Sequence, residues 1–561
     1  MATRIGEFVQ QLIDFRTDPG QYRHWQIEYD GRVAWLSMNV AEDGGLFEGY
    51  ELKLNTYDLG VDIELADIVQ RMRFEHPQIA AVVMRSGKDN VFCAGANIKM
   101  LAGASHAHKV NFCKFTNETR NTFEAAGDES GQPYIAAVRG ACAGGGYELA
   151  LACEYIYMTD DGSTTIALPE VPLLAVLPGT GGLTRVTDKR KVRRDLADVF
   201  CSLEEGVKGK RAKQWKLVDE VVSNSKFNDT VAARAVELAG QRGGDTLTGI
   251  ELTPLERRID ADGSIYYTYI SVTVDRAARS ATIVLSGPDQ LPPESLEALH
   301  AEGASSWILK LARELDDALL HLRFNELEAG VLLFKSQGQA ELVAAHEALV
   351  FENTENHWLA REIKLYWKRV LKRLDLTSRS LVALIENGSC FSGFLADILF
   401  AVDRSYMMDG EFEDDDRPPA AIRLSESSFG ALPMSNGISR LQTRFYGEPG
   451  AVEALKSAIG KPLTADEAME LGLITYAYDD IDWQDEIRVF LEERASFSPD
   501  AMIGMEANLR FAGPETMETR IFGRLTAWQN WIFQRPNAVG ESGALRRYGT
   551  GLRSEYDMRR V

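Results

Sequence analysis

Short runs of apolar and β-branched residues alternate along the chain with segments whose apolar residues recur at helical spacing. The runs at Val33–Met38, 79–84 and Tyr134–Val138 are predicted to be strands. The segments 65–74 and 110–123 are predicted to be helices. Strands that alternate with helices in this way are typical of layered α/β folds, so we expect an α/β protein.

The pattern occurs twice, because five segments of the first half resemble five segments of the second half in the same order. Matching segments lie between 248 and 255 residues apart. The pairs are GRVAWLS (31–37) with RSATIVLS (279–286), VVMRS (82–86) with LLFKS (332–336), GACAGG (140–145) with GSCFSG (388–393), ACEYIYM (152–158) with AVDRSYM (401–407), and LPGTGGLTR (177–185) with LPMSNGISR (432–440). The chain is therefore predicted to hold two copies of one fold.

Turn-forming residues in GGD and ADG separate the two copies and predict a connection between them. The predicted organisation is a first domain at residues 1–240, a connector at 241–275, a second domain at 276–480 and a helical C-terminal region at 481–561. In the last region Trp528, Trp531 and Phe533 lie on one predicted apolar face, whose expected role is packing.

Composition and charge narrow the range of partners. The formal charge of −22 over 561 residues argues against binding to nucleic acid or to an anionic membrane surface. The six cysteines form no CxxC pair, so neither a zinc site nor a disulfide framework is expected. The segment MATRIGEFVQQLIDF lacks a signal-peptide pattern, and no apolar run reaches the roughly 20 residues of a membrane span. We expect a protein of the reducing cytoplasm.

Two glycine-containing segments are suited to present backbone N–H groups to a ligand. In FCAGANIKM (92–100), Gly95 permits a close approach of backbone, which leaves the N–H of Ala96 free to face a pocket. In GACAGGGYELA (140–150), the glycine run opens a predicted helix, where N–H donors have no partner within the helix. Two such donors would form an oxyanion hole. Tight helix–strand packing or a phosphate-binding loop would also explain the glycines.

Two glutamates lie in largely apolar sequence near these loops. Glu148 falls one helical turn after Gly145, and Glu170 follows Pro169 in what we expect to be a rigid, extended stretch. Burial of a carboxylate is costly unless it is paired or functional, and two carboxyl groups that face one water can act as base and acid. Taken singly, each glutamate would also fit a surface or capping position.

The segments AGANIKM, GGGYELA and PEVPLLAVLPGTGGLTR together resemble the motifs of the crotonase (enoyl-CoA hydratase/isomerase) superfamily, over roughly residues 25–240. The resemblance implies a duplicated crotonase-type ββα spiral and a coenzyme A (CoA) thioester substrate, with no metal or cofactor besides the CoA of the substrate. It implies these roles: Ala96 and Gly145 as oxyanion-hole amides, Gly95 and Gly144 as neighbouring substrate contacts, and Glu148 and Glu170 as the pair that activates water.

Two further assignments follow from the same resemblance. The segment LKLNT (52–56) is similar to the superfamily's ALNAL stretch, which implies that Leu54 and Asn55 contact CoA. Cys113 lies on the predicted helix 110–123, which in this superfamily runs over the acyl pocket. Cys113 would then hold a second water or touch the acyl group; the alternative is a small buried apolar residue.

The second copy lacks the residues of the first. At matching positions Gly95, Glu148 and Glu170 become Ala345, Ala396 and Ser425, with Glu426 one place beyond the last match, so we expect a degenerate scaffold. A chain with an intact first copy and a degenerate second copy resembles the ring-opening lyase family of aerobic benzoyl-CoA breakdown. That resemblance implies a homodimer that converts 2,3-epoxybenzoyl-CoA and two waters to 3,4-dehydroadipyl-CoA semialdehyde and formate.

Three alternatives remain at this point. The chain could be an enoyl-CoA hydratase or isomerase with an appended domain, or a non-catalytic CoA-binding protein, against which the intact glutamate pair argues. It could also be an NAD-linked dehydrogenase fused to a hydratase, but no GxGxxG fingerprint follows a strand pattern.

Overall fold

The computed structural model describes residues 12–243, 246–410 and 415–561 and divides the chain into two compact units, Met1–Pro254 and Leu255–Val561. Residues 1–11 of the predicted first domain and 244–245 of the predicted connector lie outside the described residues. The boundary between the units falls inside the predicted connector.

The first unit has two sheets, and from β3 to β8 successive strands of the chain join them alternately. Its strands are β1 Trp25–Asp30, β2 Val33–Met38, β3 Ala81–Ser86, β4 Val91–Cys93, β5 Tyr134–Val138, β6 Ala141–Ala143, β7 Tyr155–Asp160, β8 Thr165–Ala167 and β9 Glu220–Ser223. The larger sheet has the order β1-β2-β3-β5-β7-β9, with β1 antiparallel to β2 and the other pairs parallel. The smaller parallel sheet has the order β4-β6-β8. Each turn of the chain thus adds one strand to each sheet, as the predicted ββα spiral requires.

Helices cover these sheets and carry the predicted motifs. They are α1 Leu59–Phe74, α2 Ile98–Gly103, α3 His106–Ser130, α4 Gly145–Ala152, α5 Glu170–Leu174, α6 Gly182–Thr184, α7 Arg194–Cys201, α8 Gly209–Gln214 and α9 Phe227–Gly240. Both predicted helices are longer than their apolar spacing indicated. Asp58 caps α1 by accepting from Gly60 N–H, and Ser105 and Gly131 bound α3. The core beneath α9 includes Val83, Ile135 and Val231.

The second unit has one sheet in its described part. Its strands are β10 Arg258–Ile259, β11 Ile265–Tyr266, β12 Ile270–Asp275, β13 Ser280–Ser286, β14 Val331–Gln337, β15 Ser380–Ile385, β16 Arg404–Met408 and β17 Tyr476–Tyr478. They follow chain order, antiparallel from β10 to β13 and parallel from β13 to β17. The predicted connector was therefore drawn too long, because β10, β11 and β12 belong to this sheet. The ADG turn closes a hairpin at Gly263, whose φ is 92°.

The helices of the second unit continue to the C-terminal region, which is helical as predicted. They are α10 Leu296–Glu302, α11 Trp307–Asn325, α12 Ala340–Phe351, α13 Trp358–Asp375, α14 Ala396–Ala401, α15 Arg440–Arg444, α16 Pro449–Leu455, α17 Ala465–Glu470, α18 Trp483–Ser496, α19 Pro499–Arg510, α20 Met517–Arg520, α21 Thr526–Ile532, α22 Pro536–Val539 and α23 Ala544–Arg547. The rings of Trp528 and Trp531 meet edge to face, whereas Phe533 is 56% exposed and does not share the expected packing. Among the described residues, no helix has the length and apolar character that a membrane crossing needs.

Candidate active site

The two predicted oxyanion segments meet in the structure. Gly95 has a φ of 91°, and a Cβ at this position would lie 2.9 Å from the backbone nitrogen of Gly145 and 2.9 Å from the carbonyl oxygen of Ala143. Only glycine permits both this conformation and this close approach. Although about fifty residues separate the segments, their backbones are therefore in contact.

A parallel bridge orients the amide of Ala96. Tyr57 N–H donates to the Gly95 carbonyl at 3.0 Å, and Asn97 N–H donates to the Tyr57 carbonyl at 2.8 Å. Because Tyr57 pairs with the two residues that flank Ala96, the N–H of Ala96 faces the opposite side. Its direction is therefore fixed by a short piece of sheet.

The amide of Gly145 is fixed by a glycine turn. Gly144 has a φ of 54°, and its N–H donates to the Ala167 carbonyl at 2.9 Å. Gly145 is the first residue of α4, so its N–H is one of the four that have no acceptor within the helix. Each segment thus directs one backbone N–H away from the sheet or helix that fixes it, which is what an oxyanion hole requires of each of its donors.

Glu148 is buried and held by three donors. The N–H groups of Thr180 and Gly182 donate to its Oε1 at 2.9 and 2.7 Å, and the Thr180 hydroxyl donates to its Oε2. These three hydrogen bonds fix the orientation of the Glu148 carboxylate, and their donors belong to the segment that leads from α5 into α6.

Glu170 is also buried, but its environment is different. It begins the short helix α5, so the predicted extended stretch is wrong; Ala175, with a φ of 53°, closes this turn as a left-handed C-cap. Its Oε2 is buried and has no hydrogen-bond partner among the described residues. Burial first, and then the negative charge of Glu148, raise the pKa of Glu170 to about 7. The charge of Glu148 therefore reaches Glu170, and the carboxyl group of Glu170 titrates near neutral pH.

Cys113 lies on α3 against the loop that holds Glu148. A Cβ on Gly179 would lie 3.4 Å from its Sγ. Asn117 joins the two elements, since its side-chain amide donates to the carbonyls of Cys113 at 3.0 Å and of Gly179 at 3.1 Å. Burial, followed by the charge of Glu148, raises the pKa of Cys113 to about 11, so this group is a neutral thiol at pH 7.

Leu54 and Asn55 differ in what they offer to a ligand. The Leu54 side chain is 60% exposed. The Asn55 amide is fully buried: it accepts from Val40 N–H and donates to Met38 O, Ser86 Oγ and Phe92 O. The Asn55 side chain therefore joins segments of the fold and is committed to the protein, while Leu54 stays accessible.

Comparisons with known proteins identify the family of this chain. A family described as Enoyl-CoA hydratase/isomerase matches residues 52–245. Benzoyl-CoA-dihydrodiol lyase of Aromatoleum evansii is 51% identical over 554 residues, which cover 99% of each chain. The chain belongs to the benzoyl-CoA-dihydrodiol lyase family. The fatty acid oxidation complex subunit alpha of Vibrio cholerae is 30% identical over 39% of this chain and 29% of its own length. An enoyl-CoA hydratase structure from Geobacillus kaustophilus is 29% identical, with a TM-score of 0.35, and covers 39% of this chain and 75% of that one.

For this family member the second unit corrects a sequence expectation. Gly393 repeats the turn of Gly144: its φ is 55°, and its N–H donates to the Arg423 carbonyl at 3.0 Å. Asp397 follows Gly393 by the same number of residues as Glu148 follows Gly144, so it occupies the position of Glu148. Arg423 accepts this hydrogen bond as Ala167 does in the first unit, and Glu426 follows Arg423 as Glu170 follows Ala167, so Glu426 occupies the position of Glu170. The matches to Ala396 and Ser425 were each one residue out of register, because backbone conformation rather than the letter pattern locates the turn.

Several residues that shape the site escaped the sequence analysis. Thr180 lies in a motif that was recognised, but no role was given to it. Tyr57 and Arg120 are buried side chains whose hydroxyl and guanidinium meet at 2.8 Å. The available signal was an arginine inside the predicted helix 110–123, since a buried cation requires partners.

Proposed function

We propose that this chain opens the ring of 2,3-epoxybenzoyl-CoA with two waters, giving 3,4-dehydroadipyl-CoA semialdehyde and formate. The observation that carries the proposal is the 51% identity to benzoyl-CoA-dihydrodiol lyase over 99% of both chains. The geometry of the first unit supports it, because the segments of Ala96 and Gly145 are in contact and the charge of Glu148 acts on the buried Glu170.

In the proposed reaction, the N–H groups of Ala96 and Gly145 donate to the thioester oxygen as electron density moves toward it. Water forms a bond to a ring carbon while the epoxide C–O bond breaks. Glu148 takes the proton of the water, and Glu170 gives a proton to the departing oxygen. The donors around Glu148 suit an acceptor, and the pKa of about 7 suits Glu170 as the acid.

The second water adds before the carbon–carbon bond breaks and formate leaves. Since Glu148 gains one proton and Glu170 loses one in the first addition, the pair keeps its total charge. The neutral thiol of Cys113 is proposed to contact the ring or this second water. CoA is part of the substrate, with Leu54, Gly95 and Gly144 near it; the amides and carboxyl groups supply the charge stabilisation and proton transfer, so no cofactor is invoked.

Product analysis tests this function. The purified protein is given 2,3-epoxybenzoyl-CoA, and formate and CoA semialdehyde are measured together with crotonyl-CoA hydration in a parallel sample. We expect one formate for each thioester consumed and slow crotonyl-CoA hydration. Rapid crotonyl-CoA hydration without formate would instead establish an enoyl-CoA hydratase, the alternative that the family match to residues 52–245 favours.

We also propose a homodimer in a reducing cytoplasm. In the C-terminal region, large apolar side chains of α20, α21 and their neighbours are exposed, among them Met517 at 75% and Phe522 at 72%. Such a surface suits a second copy of the chain. The six cysteines are free thiols, which suits a reducing compartment. Sedimentation of the wild type and of Phe522→Glu tests the dimer: the wild type should sediment as a dimer and the variant as a monomer.

A further inference from the structure

Tyr57 touches both halves of the proposed oxyanion hole. Its backbone pairs with the residues on either side of Ala96, at 3.0 and 2.8 Å. Its hydroxyl lies against the other half, because a Cβ on Gly145 would be only 2.0 Å from the hydroxyl oxygen and 2.8 Å from Cζ. One buried side chain, 2% exposed, therefore spans the distance between the two segments.

Arg120 holds this side chain from behind. Its Nη2 donates to the Tyr57 hydroxyl at 2.8 Å and to the Gly145 carbonyl at 2.9 Å, and its Nη1 donates to the Thr180 carbonyl at 3.4 Å. The guanidinium is 1% exposed and lies 5.6 Å from the centre of the Tyr57 ring. It therefore joins the first turn of α4, the hydroxyl of Tyr57 and the loop that holds Glu148.

A buried guanidinium is costly to desolvate, so the presence of Arg120 at this position needs a reason beyond packing. The charged groups that face it are the carboxyl groups of Asp62 and Glu148, both buried. Among the described residues, Arg120 donates its hydrogen bonds to neutral oxygens at the site rather than to these acids. Two nitrogens of the guanidinium reach three acceptors on three segments, a spread that the single nitrogen of a lysine does not have.

We propose that Tyr57 and Arg120 are positioning residues that set the separation of the Ala96 and Gly145 amides. Oxyanion stabilisation requires donors at about 2.7 to 3.1 Å from the oxygen, so a small displacement of one segment weakens it strongly. The Tyr57 hydroxyl, wedged against Gly145 and fixed by Arg120, keeps α4 at a set distance from the Ala96 segment. The inference rests on the proposed use of these amides as an oxyanion hole.

Tyr57→Phe removes the hydroxyl and keeps the ring. We expect kcat to fall about 10- to 100-fold, which is no more than the fall in kcat caused by removing one oxyanion donor. We expect KM to change less than about threefold. Tyr147→Phe is the matched control: it removes a buried hydroxyl that donates to the Leu217 carbonyl at 2.6 Å, and it should leave kcat unchanged.

A second variant and a second measurement separate positioning from stability. Arg120→Lys keeps the charge and should reproduce most of the loss, and the double variant with Tyr57→Phe should lose less than the product of the two single effects. The carbonyl stretch of bound ¹³C-labelled benzoyl-CoA should move toward that of the free thioester in both variants, while binding of CoA itself stays unchanged.

Two results would overturn the inference: an unchanged carbonyl stretch in Tyr57→Phe, or a kcat within twofold of wild type. A loss of kcat in Tyr147→Phe equal to that in Tyr57→Phe would also overturn it, since general weakening of α4 would then suffice. Absence of formate from the wild type contradicts the proposed function instead, and the infrared measurement on benzoyl-CoA still decides the role of Tyr57 and Arg120.

Discussion

The two copies share the turn that presents an amide but differ in what faces that amide. Gly144 and Gly393 have φ values of 54° and 55°, and each donates to a carbonyl of the next strand segment. In the second copy the following amide, Phe394 N–H, donates to Oε2 of Glu347 at 3.1 Å. The amide that corresponds to Gly145 N–H is therefore paired with the chain's own carboxylate in the second copy.

The acidic pair is also present in the second copy, but only one of its two members is buried. Asp397 is buried, and its Oδ2 has no hydrogen-bond partner among the described residues; burial raises the pKa of Asp397 to about 7, with the charge of Glu347 adding to the effect. Glu426 is exposed, whereas its counterpart Glu170 is buried. The second copy thus keeps the turn but differs from the first copy in two respects: a carboxylate pairs with the amide, and one acid is exposed to solvent.

Acid-to-amide substitutions in both copies give the largest expected contrast. Glu148→Gln and Glu170→Gln should each lower kcat by roughly 10³-fold, because each removes a proton-transfer group. The counterparts Asp397→Asn and Glu426→Gln should leave kcat within twofold. Formate release under saturating substrate measures the difference. Equal losses in the two copies would contradict the assignment of one competent site.

The contact between the two oxyanion segments is tested by Gly95→Ala. Its Cβ would lie 2.9 Å from Gly145 N, so the segments must move apart and kcat should fall about 100-fold. Gly162→Ala is the control: Gly162 also has a positive φ, 77°, but its Cβ would meet nothing within 4 Å, and kcat should not change. A normal kcat for Gly95→Ala would show that the amides need no such contact.

The pH dependence of the first copy follows from Glu170. Its pKa is raised to about 7, so the acid form that donates a proton is present below this pH and is lost above it. We expect kcat/KM to fall about tenfold per pH unit above pH 7. The residual activity of Glu170→Gln should lack this limb. A rate that rises through pH 7 would make Glu170 the base instead.

Local sequence predicted the parts of the site that glycines and short motifs encode. The segments around Gly95 and Gly145, both glutamates and the helical character of α3 were all found in this way. Contacts across long stretches were missed: Arg120 is 63 residues from Tyr57, and Thr180 is 32 residues from Glu148. The predicted alignment of the second copy is one residue out of register at the turn. The reason is that a glycine in the sequence does not show whether its φ is positive, as it is at Gly393.

Glu347→Ala tests the carboxylate that pairs with the Phe394 amide in the second copy. The change leaves the buried Phe394 N–H without an acceptor and should lower the free energy of unfolding by about 1 to 3 kcal/mol. Added acetate should restore part of this stability, and an equal ionic strength of chloride should not. Glu341→Ala on the same helix, where the side chain is exposed and pairs with Arg423, is the control. Identical acetate effects in both variants would refute a vacated anion pocket.

The smallest effect concerns the proton on Asp397. Its folded pKa, about 7, lies above its ordinary value of 3.8, so the folded protein binds more protons than the unfolded chain between these values. The stability from this group is therefore present at low pH and is lost as the pH rises through 7. Asp397→Asn should raise the free energy of unfolding at pH 8 by roughly 1 kcal/mol or more relative to pH 5, measured by urea denaturation. Glu170→Gln should show the same sign for the same reason, yet only this variant should lose turnover, because only in the first copy does the buried acid serve the proposed reaction.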